Sequence, residues 1–193
     1  MRAILAHHSL NPNIILAYHG CDKSVGTRIL NGEAFVESNN DFDWLGPGVY
    51  FWEANPGRAL SFANEQKNRG RIKEPFVIGA ALTLGNCIDT LNEASILALK
   101  EAHVKLKSSL KLHKQPMPKN SGGKDRLLKR LDCAVVIMLH EMQREQGQDE
   151  ADTLRGLYHE GSRLYPKSAF YAKSHIQICV RNPACIKGVF RVG

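Results

Sequence analysis

Three features of this 193-residue sequence predict a mixed α/β fold. Short apolar, β-prone runs at residues 14–19, 49–52 and 75–84 lie beside glycine, segments with helical spacing separate them, and two further strand-like runs close the chain. A chain of this length buries roughly 70 % of its unfolded surface and sustains one core, so a single domain over residues 1–193 is expected.

Residues 14–19 run into Gly20 as a buried strand. Asp22 then caps a helix over Lys23–Leu30, where Val25, Ile29 and Leu30 share a face and Asn31-Gly32 supplies the stop. Residues 37–47, rich in Ser, Asn, Asp and Gly around Trp44, read as a loop leading to the strand at 49–52. Asn55 caps the next helix with Pro56 at its first position, and Ala59, Leu60, Phe62 and Ala63 form its apolar face. The almost wholly apolar run at 75–84 predicts a strand buried on both faces.

Residues 89–112 read as a helix turning Leu91, Ala94, Ile96, Leu97 and Leu99 to the core, and 115–123 as a flexible loop. Residues 125–146 read as a helix buried at 133–139, although Cys, Val and Ile there are also compatible with a strand. Residues 156–166 carry turn formers and three Tyr or His rings, which suits a structured loop over a cleft. The final strands span 174–180, with Ile176, Ile178 and Val180 opposite His175, Gln177 and Cys179, and 186–192 after an Asn182-Pro183 turn.

Composition bounds the function classes. Hydrophobic residues at 43 % and charged residues at 23 % are ordinary for a globular protein and argue against general disorder. Five cysteines, odd in number and without CxxC or zinc spacing, read as reduced thiols. His140-Glu141 and His159-Glu160 lack the second histidine of HExxH, so no catalytic metal is expected. Residues 1–8 lack the long apolar segment of a secretory signal, and the longest later apolar run, 133–139, is too short for a bilayer; a cytoplasmic location without membrane partners is the expectation.

A net charge of +7 and a pI near 9.2 favour anionic partners. Ten Lys or Arg residues stand against Glu101 and Asp125 between Lys100 and Arg130. Few aromatics interleave them, so the segment reads as a solvated helical face and a loop rather than a nucleic-acid surface.

Two short segments look built for a ligand. Tyr18-His19-Gly20 and Gly46-Pro47-Gly48-Val49-Tyr50-Phe51 each place side chains with polar tips beside glycine at a strand end, where the backbone can approach a bound molecule. Their order, with a helix between them and a second helix bearing an aromatic after them, resembles the diphtheria-toxin-like and poly(ADP-ribose) polymerase-like class of ADP-ribosyltransferases. The residues 174–182 (Ser-His-Ile-Gln-Ile-Cys-Val-Arg-Asn) resemble the late strand that carries that family's catalytic glutamate.

The resemblance implies a split mixed or antiparallel sheet flanked by helices around a cleft for NAD, used as substrate. It implies that His19 hydrogen-bonds the adenosine-side ribose, that the Gly20 backbone and Ser61 meet the nicotinamide carboxamide, and that Tyr50 and Phe62 sandwich the nicotinamide beside Phe51. Gln177 stands where the family has its glutamate. An amide brings neither a full negative charge nor a base, so single transfer is expected in place of chain elongation. His175, on the face of Gln177, and Glu160, in the glycine-flanked loop, are the candidates to compensate.

The expected activity is mono-ADP-ribosyl transfer to a nucleic acid or protein acceptor. By analogy, this is the activity of a toxin or phage-defence effector with an antitoxin partner. The competing expectations are an NAD glycohydrolase and an inactive NAD or ADP-ribose binding module.

Overall fold

The computed structural model describes residues 14–123 and 127–193. Residues 1–8, Asp125 and the basic residues Lys124 and Arg126, on which parts of the sequence reading fall, lie outside them. Strands β1 (Ile15–Asp22), β2 (Val49–Glu53), β3 (Pro75–Leu82), β4 (Cys87–Asp89), β5 (Thr153–Tyr158), β6 (His175–Val180) and β7 (Ile186–Arg191) form one sheet in the order β4-β5-β6-β2-β1-β3-β7. Only β4 and β5 run parallel; the other neighbours are antiparallel. The helices are α1 (Lys23–Leu30), α2 (Pro56–Asn68), α3 (Glu93–Leu112) and α4 (Arg130–Glu145), so the fold is mixed α and β.

One joint in the sheet positions everything that follows. β1 pairs with β3 along its whole length, from Ile15↔Leu82 to Asp22↔Pro75, but with β2 only at Ala17↔Glu53 and Tyr18↔Trp52. Beyond Tyr18 the C-terminal end of β1 and the N-terminal end of β2 separate, each held by its outer neighbour. The sheet is therefore continuous yet opens as a fork at His19 and Tyr50.

Local chemistry places the first two helices. The Asp22 carboxylate accepts from the Ser24 backbone N–H at 3.0 Å at the start of α1, and also from Lys73 N–H at 2.7 Å, which ties that helix to the entrance of β3. Asn55 accepts from Arg58 N–H at 2.9 Å, with Pro56 at the first helical position of α2. α2 crosses β1 so closely that a Cβ on Gly20 would lie 2.2 Å from the Ala59 carbonyl oxygen. Gly20 is thus required by helix-to-strand packing, whatever else it does.

The other end of the sheet differs from the sequence expectations. The helix read over 89–112 begins at Glu93, capped by Asn92, and is preceded by β4. Its buried face is Ala98, Ala102 and Leu106, whereas Leu91, Ile96 and Leu97 are exposed. The small alanines let α3 approach α4, and the three positions four apart make one stripe that larger neighbours had obscured. Residues 133–139 are helical within α4, with Cys133, Val135, Val136, Met138 and Leu139 buried and Ile137 exposed.

The loop read at 156–166 is instead strand up to Tyr158. β5 is held by partners remote in sequence: Arg155 grips both Glu53 oxygens at 2.6 and 2.8 Å and Asp89 at 2.9 Å. Helices α3 and α4 cover this end over a core of Leu45, Ile88, Leu154 and Cys179, while Ala17, Phe51, Ala80, Leu82, Ile178 and Val180 form the core beneath the middle strands.

Candidate functional site

The fork between β1 and β2 opens into a cleft of about 730 Å³, lined among others by His19, Gly20, Tyr50, Trp52, Phe62 and Gln177. A hollow of similar volume beside Gly85 and Asn86 is walled by Asp149, Glu150 and Asp152 and carries no aromatic ring.

His19 bridges the fork. Its Nδ1 lies 2.8 Å from the Tyr50 carbonyl oxygen, which can only accept, so Nδ1 carries the proton and Nε2 presents a lone pair. Burial holds the ring below the ordinary histidine pKa against that hydrogen bond, keeping it neutral. Phe35 and Phe51 fix its plane, with ring centroids at 5.4 and 5.7 Å. Phe51 is wholly buried in the core on the far face of β2, so it supports His19 and does not line the cleft.

Tyr50 lies in the opposite wall. Its hydroxyl donates to the Gly46 carbonyl at 2.8 Å and accepts from Leu45 N–H at 3.0 Å, locking the preceding loop, and burial raises its pKa well above the usual value. Phe62 packs against Trp52 rather than Tyr50, with centroids 4.8 Å apart, so these two rings form one aromatic wall. Ser61 departs from expectation: it is exposed, spends its hydroxyl on the Gly57 carbonyl at 2.9 Å and does not line the cleft, because it projects from the outer side of α2.

Gln177, half-buried on β6, accepts from the Trp44 indole N–H at 2.6 Å. An indole N–H donates only, which fixes the amide with Oε1 toward Trp44 and leaves its NH2 as the remaining polar group. Trp44 packs at a tilt against Tyr158, with ring centroids 5.1 Å apart, and covers Gly156, where a Cβ would meet the indole at 2.5 Å. In the sequence Trp44 falls within a loop, and a tryptophan among turn formers is its one signal.

Glu160 and His175 part company. Glu160 lines the cleft but is engaged in a closed ring of charges. Arg58 contacts Glu160 at 2.5 Å and Glu65 at 3.3 Å, and Lys173 contacts Glu65 at 3.0 Å and Glu160 at 3.4 Å. The ring ties α2 to the loop after β5. His175 does not line the cleft: its Nδ1 donates to the Lys173 carbonyl at 2.6 Å and its ring is enclosed near Tyr158 and Trp52. Burial lowers its pKa, so it too is neutral.

Among the described residues no group of three or more His, Cys, Asp or Glu side chains is disposed to hold a metal, and no helix is long and apolar enough to cross a membrane. In sequence the chain is 26% identical over 189 residues to an uncharacterized protein of Methanocaldococcus jannaschii, an alignment covering 88% of this chain and 83% of the relative. No family model matches the chain. No solved structure matches it either.

Proposed function

We propose that the cleft binds NAD and transfers its ADP-ribose to a macromolecular acceptor. The observation that carries this reading is the neutral His19 with Nδ1 committed to Tyr50, whose Nε2 is a fixed acceptor for a ribose hydroxyl at the fork. The Trp52–Phe62 wall and the Tyr50 ring offer faces to a cationic pyridinium. Arg69 and Arg71, also on the lining, supply charge for the diphosphate.

In the reaction, the bond from ribose C1′ to the nicotinamide nitrogen breaks and nicotinamide departs neutral with the bonding electrons. An O–H or N–H nucleophile of the acceptor forms the new bond to C1′, and its proton passes to water. The departing step develops positive charge on the ribose. The Gln177 amide offers hydrogen-bond donors there, so it orients a ribose oxygen and does not neutralise that charge.

The same observation favours a second reading, in which the cleft binds NAD or ADP-ribose without turnover. Incubation with NAD labelled on the adenylate phosphate, together with cellular protein, RNA and DNA, separates them. Labelled macromolecule is the expected result. Free labelled ADP-ribose alone assigns a glycohydrolase, and bound but unchanged NAD assigns the binding module.

A further inference from the structure

We propose that the cleft mouth is a docking track for a single-stranded nucleic acid. Its role as acceptor rests on the transfer reading above; its binding does not. The cleft carries cations that have no acidic partner among the described residues. Of the acids lining the cleft, Glu65 and Glu160 are matched by Arg58 and Lys173 in the closed ring. Arg69, Arg71 and Lys129 also line the cleft and form no salt bridge among the described residues, leaving three cations against Asp43 alone.

The sequence gives few aromatics among the basic residues, but folding supplies them from elsewhere. Lys129 Nζ lies over the Tyr158 ring at 5.4 Å from its centroid, and Arg130, whose guanidinium is paired with Asp41 at 2.6 Å, lies over Phe42 at 6.0 Å. Phe42, Trp44 and Tyr158 all line the cleft. Cations that follow a backbone, alternating with flat rings that stack bases, are what an unpaired strand requires. A duplex keeps its bases stacked internally and has no use for those rings. An acidic peptide would use the cations but not the flat faces.

A diphosphate uses charge alone, whereas this surface sets its three cations among the rings of Phe42, Trp44 and Tyr158. That combination points to a polymer of phosphates that carries bases.

Fluorescence anisotropy with labelled single-stranded RNA and DNA of about 15 nucleotides, with no NAD present, tests this directly. Saturable binding is expected, weakening with salt at a log–log slope of about −2 or steeper, as three neutralised phosphates require. Arg69→Ala, Arg71→Ala and Lys129→Ala should each flatten that slope by about 0.7 to 1. Phe42→Leu, which keeps bulk but removes the ring, should weaken binding about tenfold. Lys187→Ala, on β7 at the far edge of the sheet, should leave affinity unchanged.

Absence of binding at low salt overturns the inference, as does a slope indifferent to the three cleft cations. Equal competition by polyglutamate assigns an acidic protein partner instead. Because NAD is omitted, failure here leaves the NAD reading standing, and loss of NAD binding leaves this one standing.

Discussion

The Trp44 indole donates its hydrogen bond to Gln177 Oε1 at 2.6 Å, across 133 residues of sequence. That contact fixes which end of the amide remains for a ligand, and it turns a one-atom difference between Gln and Glu into a difference of chemical role. In Gln177→Glu the indole still has an oxygen to bind, while the second carboxylate oxygen brings negative charge into the cleft, where the proposed reaction has its ribose. Nicotinamide release should rise by about tenfold or more, given the several kcal/mol that such charge stabilisation supplies. A fall in release would mean that the amide donors are themselves required.

Tyr50 has a structural duty separable from its ring. Tyr50→Phe leaves the Leu45 N–H without its partner and the Gly46 carbonyl with only the Cys179 thiol at 3.6 Å, which should cost about 1 to 3 kcal/mol in urea unfolding. A variant as stable as the parent would show that the loop before β2 is not held by this hydroxyl.

The Arg58–Glu160 pair in the cleft wall should behave as a buried ion pair. Arg58 and Glu160 have side chains only 9% and 8% exposed, so Glu160→Gln leaves a buried guanidinium with Glu65 as its remaining acid. The expected destabilisation is about 3 kcal/mol and changes little with added salt. A loss below about 0.5 kcal/mol would place the pair with ordinary surface ion pairs.

Stability should fall on mild acidification. His140 is pushed down from 6.5 to about 4, first by burial and then by the Arg181 guanidinium 3.1 Å away. Between these values the unfolded chain binds the extra proton, so stability is fully present above pH 6.5 and is lost as pH falls toward 4. His19 and His175 shift in the same direction. His140 alone should contribute about 3 kcal/mol to the difference between unfolding at pH 7 and at pH 4. His140→Asn should flatten the profile, and an unchanged slope would contradict the assignment.

What was legible in the sequence was local. Asp22, Asn55 and Pro56 announce α1 and α2 because capping is satisfied within a few residues. β5 was hidden because Arg155 and Gly156 have little strand preference of their own. They are held there by Glu53 and Asp89 and by the indole of Trp44.

The site divides in the same way. His19, Gly20, Tyr50, Phe62, Glu160 and Gln177 reach one cleft, but Ser61 and Phe51 turn away because helix and strand periodicity points them outward and into the core. His175 shares a face with Gln177 and is nonetheless enclosed behind the wall. Trp44 and Arg58 became visible only through partners more than a hundred residues away.

The most direct test is the fate of NAD with the intact protein and with His19→Ala, followed as nicotinamide release beside calorimetric NAD binding. The account predicts binding and release by the parent, and loss of both in the variant as the ribose acceptor disappears. A parent protein that neither binds NAD nor releases nicotinamide, or a variant that turns NAD over unchanged, would contradict it.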